Sequence, residues 1–512
     1  MFKNEVSEFI FKRTYARWLE DDKRREEWPE TIERFISFIK SERGDLVPPK
    51  TFRKIEKYLL EFSVMPSMRF LWSAGEAARR DNTVIYNCSF AKMNCVEAFA
   101  ECLHILMCGT GFGFSVEQEE VDKLPSIPEI KSGRDHPHQS IYDSREGWAD
   151  SVRILMKSLY EGQNLYFDYS QLRLEGARLT TMGGRSSGPQ PLIRLHDFIR
   201  ETMHNAQGRK LTTLEVHDVT NQIAEIVVAG GVRRSSQISL SDINDEDMRH
   251  AKDWPFPIRR AMANNSAIFR DKPDAADFLV EWGALAKSGT GERGIFNLLS
   301  AQNKAPSRRY APLIQGTNPC GEIMLRDMQF CNLSEVVVRQ DDDLDTLLDK
   351  VETATWLGII QSTFTSFPYL RKEWKKNCDV ERLLGVSLTG QMDNPSVLTS
   401  EALKALRSRV LRISRKASSI LGINMPAATT CVKPSGTVSQ LVDSASGVHP
   451  RYSEYYIRRY RIAASDPLFA MLKKQGVPCH PENGQDKKDA TTWVLEFPVK
   501  SPEGCITRKD LS

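Results

Sequence analysis

The chain has 512 residues, of which 40% are hydrophobic and 27% charged, a composition typical of a globular protein with a substantial core. Its 70 basic and 67 acidic residues leave a net charge of +3, which excludes a strong general attraction to nucleic acid or acidic membranes. The sequence has no signal-peptide core and no apolar run of the roughly 20 residues that span a membrane. We therefore expect a cytoplasmic protein.

The first 62 residues predict a helical segment, and the rest of the chain predicts an α/β domain. Strands and helices alternate from about residue 83, without an internal repeat, which favours one barrel-like domain over residues 63–512. Strands are expected at residues 82–90, 111–115, 237–240, 264–269, 294–297, 333–338 and 384–388. Helices are expected at residues 96–107, 145–160, 192–203, 217–228, 275–286, 344–365 and 401–421.

Three glycine-containing stretches could bring backbone amides close to a ligand. Residues 109–115 lack the G-x-G-x-x-G spacing of a dinucleotide loop, although a close backbone approach to a ligand stays open. Residues 183–189 precede a helix, so they predict either an anion-binding turn or a plain N-cap formed by Ser187. Residues 433–437 offer amides and two hydroxyls to a phosphate, or form a simple tight turn. The neighbouring arginines Arg233 and Arg234 could face phosphates or solvent.

The ten cysteines predict free thiols in a reducing compartment. The chain has no Cys-x-x-Cys pair and no Cys/His cluster with short zinc spacing, so we expect no metal site. Cys95, Cys102, Cys108 and Cys431 are interpreted as core residues.

One cysteine has more reactive surroundings. The string Gly-Thr-Asn-Pro-Cys-Gly-Glu-Ile at residues 316–323 places Cys320 two residues from Asn318 and two from Glu322. In an extended backbone, residues two apart share a face, so these three side chains would converge on one small volume. A second thiol, Cys331, follows eleven residues later. The string predicts a reactive thiol with a neighbouring acid/base, or a turn with a structural cysteine.

Several strings, in one order from about residue 60 to 500, together resemble the ribonucleotide reductases, most closely the monomeric adenosylcobalamin-dependent (class II) ribonucleoside-triphosphate reductases. The strings lie at residues 87–88, 111–115, 143–148, 187–189, 229–235, 264–266, 316–323, 331–333, 433–438, 446–449 and 496–500. A chance match of so many ordered strings is very improbable.

The resemblance implies a ten-stranded α/β barrel with residues 316–323 as a finger loop inside it. Cys320 would become a thiyl radical that takes the 3′ hydrogen of the ribose. Glu322 would act as general base on the 3′-hydroxyl, and Asn318 would hold the ribose hydroxyls. Cys88 and Cys331 would reduce the 2′ position and end as a disulfide.

The resemblance also implies how the chain binds its ligands. Ser435, Gly436 and Thr437 would bind the substrate phosphates, with Ser187 and Gly188 contributing. Residues 120–230 would form an insertion that binds deoxynucleotide effectors, near Asn264 and Asn265. The implied cofactor is adenosylcobalamin, the substrate a ribonucleoside triphosphate, and the reductant thioredoxin-like.

The sequence departs from the family at its end, because family members continue well beyond the equivalent of residue 500. The missing part carries the last barrel elements, part of the cobalamin site and a reducing cysteine pair, so a separate C-terminal fragment is an expected partner. Two alternatives stay open. One is a reductase fed by a separate radical-generating subunit, and the other is a fragment that binds nucleotides without turnover.

Overall fold

The computed structural model describes residues 2–131, 138–177, 186–229 and 236–511. The helices are α1 Glu5–Ile10, α2 Trp28–Arg43, α3 Pro49–Leu60, α4 Met68–Ser73, α5 Glu76–Arg80, α6 Val96–Met107, α7 Gln118–Val121, α8 Arg145–Tyr160, α9 Gln190–Asn205, α10 Thr213–Ala229, α11 Glu246–Arg249, α12 Ala275–Ser288, α13 Leu298–Asn303, α14 Leu344–Ser362, α15 Lys372–Glu381, α16 Ser400–Leu421, α17 Gly436–Leu441 and α18 Pro467–Lys474. The strands are β1 Trp18–Leu19, β2 Arg24–Arg25, β3 Val64–Pro66, β4 Cys88–Lys92, β5 Gly111–Ser115, β6 His138–Ser140, β7 Tyr166–Asp168, β8 Gln237–Asp242, β9 Ala263–Phe269, β10 Gly294–Asn297, β11 Gly316–Thr317, β12 Met324–Leu325, β13 Gln329–Phe330, β14 Leu333–Val337, β15 Gly385–Thr389, β16 Tyr455–Ala463, β17 Cys479–Pro481 and β18 Thr492–Lys500.

The largest sheet has the strand order β10-β9-β8-β5-β4-β13. Its first five strands are parallel, and helices connect them, as the alternating pattern in the sequence predicts. Strands β4, β5 and β8 are almost wholly buried, which is typical of parallel strands covered on both faces. The sixth strand, β13, runs antiparallel to β4.

A second sheet has the order β15-β14-β3, with β14 and β15 parallel and β3 antiparallel to β14. An isolated parallel bridge joins Val386 to Thr430, just before the predicted phosphate loop. The chain thus enters that loop from a single bridge and not from a longer strand. A third, antiparallel sheet, β16-β18-β17, lies near the end of the chain.

The N-terminal residues form the predicted helical segment. Helix α2 starts at a reciprocal capping box between Glu27 and Glu30, and its buried face includes Phe35 and Phe38. Phe35 packs edge-on against Phe70, which belongs to α4, so the segment and the following domain share one hydrophobic core. In the part of the chain that the structure describes, no helix is both long and apolar enough to cross a membrane.

The expected insertion, residues 120–230, contains helices α8, α9 and α10. The Ser144 side chain caps α8 by accepting a hydrogen bond from the Gly147 amide at 2.9 Å. The glycines at 183 and 184 and the arginine pair Arg233 and Arg234, which were expected to face a phosphate or solvent, lie outside the described residues.

A small hydrophobic cluster connects the two parallel sheets and determines where the functional site lies. Its members come from β4, β8, β9 and β14 and from the segment around residues 314–325. They include Phe90, Leu240, Leu333, Ile323 and Leu325, all buried. Ile323 and Leu325 therefore anchor the segment around residues 316–325 in this cluster.

Candidate active site

Residues 316–325 form a hairpin whose tip carries Cys320, and we call this hairpin the finger. Strands β11 and β12 pair antiparallel, with Gly316 opposite Leu325 and Thr317 opposite Met324. At the tip, the Gly321 amide donates to the Asn318 carbonyl at 2.9 Å, and Gly321 has φ +80°. Only glycine adopts this left-handed conformation readily, so Gly321 permits the tight turn.

The amide side chain of Asn318 organises the tip. Its Oδ1 accepts a hydrogen bond from the Ile323 amide at 2.9 Å, and its Nδ2 donates to Glu322 Oε2 at 2.6 Å. Asn318 is fully buried, whereas Cys320 is exposed. The expected convergence of Asn318 and Glu322 is thus present, but a turn produces it and not an extended strand.

The finger lies directly against the first sheet because two glycines remove side chains from the contact. A Cβ on Gly113 of β5 would lie 2.3 Å from the Thr317 carbonyl oxygen. A Cβ on Gly316 would lie 2.2 Å from the ring of Phe90. The glycine-rich stretch at residues 109–115 therefore allows a close backbone approach, but to the finger.

We expect Gly113→Ala to displace the finger and to lower the free energy of unfolding by about 1–3 kcal/mol, because the added methyl group meets backbone that cannot rotate away. Urea unfolding measures this loss. Gly283→Ala is the matched control, since nothing lies within 4 Å of its added Cβ in α12 and alanine favours a helix by about 1 kcal/mol. Equal stability of the two variants would contradict the close contact.

Cys88 and Cys331 lie side by side. Strand β13 pairs with β4 so that Phe330 faces Ser89, and the Cys331 amide donates to the Cys88 carbonyl at 2.9 Å. Facing residues in an antiparallel ladder have Cα atoms about 5.5 Å apart, within the range that a disulfide bridges. Burial, followed by the hydrogen bond with the Cys88 thiol, raises the pKa of Cys331 well above its usual value. Neither sulfur belongs to a disulfide.

The finger tip lies near this cysteine pair. A Cβ placed on Gly111 would lie 3.2 Å from the Pro319 ring and 3.3 Å from the Cys88 sulfur. Both side chains therefore border the same point on β5. Pro319 directly precedes Cys320, so the exposed thiol and the buried pair border one small region. The structure thus places the finger tip beside the strand that carries Cys88, and Glu322 is close enough to Cys331 to raise its pKa.

The Glu322 carboxyl lies in a partly desolvated environment. Burial raises its pKa above the usual 4.5, and the hydrogen bond from Asn318 opposes that rise. Lys433 also lowers the pKa of Glu322, and Glu335 raises it. A carboxylate with a raised pKa is a stronger base than an ordinary glutamate, as proton abstraction requires.

Glu335 and Lys433 form an ion pair that the sequence analysis did not assign to the site. Lys433 Nζ lies 3.2 Å from Glu335 Oε2, and the Glu335 side chain is fully buried. Glu335 Oε1 has no hydrogen-bond partner among the described residues. A charged residue within the fully buried strand β14 is the signal that could have identified Glu335.

The predicted phosphate loop forms the start of α17. Ser435 adopts a left-handed conformation, with φ +55°, at the N-cap position. Its hydroxyl is buried and accepts a hydrogen bond from the Thr389 hydroxyl at 2.9 Å. One of the hydrogen bonds that this hydroxyl can form is therefore made within the protein. Gly436 is exposed, Thr437 is half-buried, and nothing lies within 4 Å of a Cβ on Gly436. The free backbone amides at this turn remain available to an anion.

Ser187 and Gly188 have described contacts elsewhere. The Gly188 amide donates to Ser186 Oγ at 3.0 Å, and a Cβ on Gly188 would meet Glu175. The alternative of an N-cap by Ser187 is wrong, because Pro189 occupies the N-cap of α9 without a side-chain hydrogen bond. Among the described contacts, none joins Ser187 or Gly188 to the loop at Ser435.

The chain is similar to known proteins along nearly all of its length. A protein of Levilactobacillus brevis named adenosylcobalamin-dependent ribonucleoside-triphosphate reductase is 29% identical, over 97% of this chain and 79% of that protein. The protein of the same name from Lactobacillus leichmannii is 27% identical, over 96% of this chain and 79% of that protein. A crystal structure of a B-12 dependent (class II) ribonucleotide reductase matches with a TM-score of 0.82 and 25% identity, over 98% of this chain and 83% of that one. The predicted resemblance to the class II ribonucleotide reductases is confirmed.

Two further matches agree with this relationship to the ribonucleotide reductases. The family model described as ribonucleotide reductase alpha domain matches residues 1–76. The alpha subunit of the class Id ribonucleotide reductase of Actinobacillus ureae matches with a TM-score of 0.57 and 14% identity, over 92% of this chain and 79% of that one, which shows a common fold alone. The mixed α/β fold is thus that of the class II reductases.

Proposed function

We propose that this chain reduces ribonucleoside triphosphates to 2′-deoxyribonucleoside triphosphates by thiyl-radical chemistry, with adenosylcobalamin as cofactor. One observation carries the proposal, namely the finger with Cys320 at its tip, Asn318 bonded to Glu322, and the facing pair Cys88 and Cys331 beside it. The names of the matching relatives, and the 79% of each relative that this chain covers, support the same activity.

The reaction would begin at Cys320. Its thiyl form takes the 3′ hydrogen atom of the ribose, and the Glu322 carboxylate accepts the 3′-hydroxyl proton. The Asn318 amide, already bonded to Glu322, holds the ribose hydroxyls at the distance that proton transfer needs.

Cys88 and Cys331 would supply the two electrons of the reduction. The 2′-hydroxyl leaves as water with one thiol proton, the second thiol supplies the other hydrogen equivalent to C2′, and the two sulfurs form a disulfide. Cys320 then returns its hydrogen atom to C3′, and Glu322 returns the proton to the 3′-oxygen. A thioredoxin-like dithiol restores the pair by thiol–disulfide exchange, directly or through a separate C-terminal fragment.

Adenosylcobalamin, when bound, supplies the radical that oxidises Cys320. The exposure of the Cys320 thiol at the finger tip fits this role, because a bulky cofactor can approach it from outside the packed region. Cys320 is the residue through which that chemistry would enter the chain.

We further propose that the two parallel sheets are the halves of a ten-stranded α/β barrel around the finger. The five parallel strands β10-β9-β8-β5-β4 would form one half, and β14, β15 and the bridge at Thr430 would begin the other. Residues 1–62 would be a helical segment ahead of this barrel domain, residues 63–512.

Substrate and effector binding follow the same proposal. The amides and hydroxyls of Ser435, Gly436 and Thr437 would bind the substrate phosphates, with Ser187 and Gly188 contributing from the insertion. Residues 120–230 would bind deoxynucleotide effectors and communicate with the base near Asn264 and Asn265.

The test is a reduction assay with CTP or ATP, adenosylcobalamin and a dithiol, on the chain alone and with the polypeptide encoded downstream. We expect deoxynucleotide in at least one of these two conditions and none without the cofactor. A folded chain that makes no product in either condition would rule out the cobalamin-reductase proposal. Product formed with a separate radical-generating subunit would favour that alternative instead.

The raised pKa of Glu322 predicts that the fall of kcat at acidic pH begins at a higher pH than an ordinary glutamate would cause. A general base works only when ionised, so activity should fall as pH drops through a pKa above the usual 4.5. Glu322→Gln should lower kcat by about 10²–10⁴-fold and remove this fall at acidic pH. The measurement is kcat against pH for the wild type and for Glu322→Gln, at saturating substrate. The same fall of kcat at acidic pH in both proteins would show that a group other than Glu322 causes it.

A further inference from the structure

A second cluster of reactive side chains lies on the far side of helix α6. Asp81, His104 and Cys108 are all at most 3% exposed. His104 Nε2 is 2.8 Å from Asp81 Oδ2, the Cys108 sulfur is 3.6 Å from the same nitrogen, and it is 3.8 Å from the same oxygen. Three ligand atoms of different chemistry thus converge on one point.

The local fold aims these atoms at one another. His104 and Cys108 are one helical turn apart, the spacing that places two side chains on the same face. Asp81 precedes the 3₁₀ turn Asn82–Ile85, and the Thr83 amide holds its Oδ1 at 2.8 Å. That hydrogen bond leaves Oδ2 to face the helix.

We propose that Asp81, His104 and Cys108 bind one structural divalent ion of the zinc class. Zinc bonds of roughly 2.0–2.3 Å place tetrahedral ligand atoms about 3.3–3.6 Å apart. The two separations that involve the Cys108 sulfur, 3.6 and 3.8 Å, are close to these tetrahedral distances. Only the 2.8 Å contact between Asp81 and His104 must widen. The fourth position is left to water.

Two neighbouring side chains hold the cluster in place. Arg145 Nη1 donates to the Cys108 sulfur at 3.0 Å. The ring of Tyr369 stacks on His104 with centroids 4.5 Å apart and fixes the plane of the imidazole. Asp81 is distant in sequence from His104 and Cys108, so the spacing of these residues along the chain does not reveal the cluster.

An ion at this point would tie α6, and through Arg145 also α8, to the segment that leads into Cys88. Three protein ligands with a water are typical of catalytic zinc sites, but complete burial leaves no opening for a substrate here, so the ion would be structural. The inference does not depend on the proposed reductase activity.

The test is the metal content of the full chain after purification in zinc and removal of loose metal. We expect about one zinc per chain in the wild type and a thiolate-to-cobalt charge-transfer band after replacement by Co²⁺. Cys108→Ser and Asp81→Asn should lose both signals. Cys102→Ser is the matched control on α6, because its buried sulfur lies 3.8 Å from the Gln237 amide, outside the cluster, and it should keep both.

Either of two results would overturn the site. A zinc-saturated wild-type chain that holds no zinc would show that the three side chains are linked by hydrogen bonds alone. Equal zinc content in Cys108→Ser and Cys102→Ser would place the metal elsewhere. The wild-type measurement decides the question even if a variant fails to fold.

Discussion

Replacement of Cys320 by serine is expected to reduce turnover by at least about 10⁴-fold, because the residue would carry the radical on which every later step depends. Serine matches the size of cysteine, but its O–H bond is too strong to yield a hydrogen atom to the cofactor-derived radical. Cys320 is exposed at the finger tip, so the variant should keep the stability of the wild type. The measurement is deoxynucleotide formation, with urea unfolding alongside.

The matched control is Cys479→Ser, which changes a half-buried thiol on β17, within the separate sheet β16-β18-β17. It should retain the wild-type rate. Turnover by the Cys320 variant at a similar rate would remove this residue from the mechanism while leaving the fold assignment intact.

Glu381→Gln is expected to destabilise the chain by about 3–5 kcal/mol, because it removes the charge from a buried network of two arginines. Glu381 accepts hydrogen bonds from Arg309 at 2.8 Å and Gln329 at 2.9 Å, and it forms an ion pair with Arg326 at 2.9 Å. The side chains of Arg309 and Glu381 are 3% and 2% exposed. Neutralising Glu381 leaves two guanidinium groups without a counter-charge.

This network holds both ends of the finger. Arg309 precedes β11, Arg326 follows β12, and Gln329 lies on β13, the strand next to Cys331. We therefore expect the Glu381 variant to lose activity as well as stability. Glu373→Gln, at an exposed position on the same helix, should stay within about 0.5 kcal/mol of the wild type in urea unfolding. A similar small change for Glu381→Gln would show that the network does not support the finger.

Local patterns predicted many of the elements well. Helices α6 and α8 have the expected bounds, because apolar periodicity and a serine cap define them within the sequence itself. The strand expected at residues 82–90 begins only at Cys88, since the Asp81 side chain accepts from the Thr83 amide and stabilises a 3₁₀ turn ahead of it. A side-chain contact of this kind competes with strand formation, and hydrophobicity alone does not reveal it.

The sequence predicted which residues belong to the candidate site, but it did not predict how they are arranged. The eight-residue string indicated that Asn318, Cys320 and Glu322 act together, but the turn at Gly321 and the hydrogen bond from Asn318 to Glu322 need the folded backbone. The pairing of Cys88 with Cys331 depends on the register of β4 and β13, strands that are far apart in sequence. Such long-range pairings are set by tertiary packing, which explains why only the resemblance suggested them.

A single-turnover experiment without external dithiol tests the central claim most directly. The reduced chain, adenosylcobalamin and excess nucleoside triphosphate should give at most one deoxynucleotide per chain. Peptide mapping should then find one Cys88–Cys331 disulfide for each deoxynucleotide formed. Deoxynucleotide made while Cys88 and Cys331 stay reduced would contradict the account.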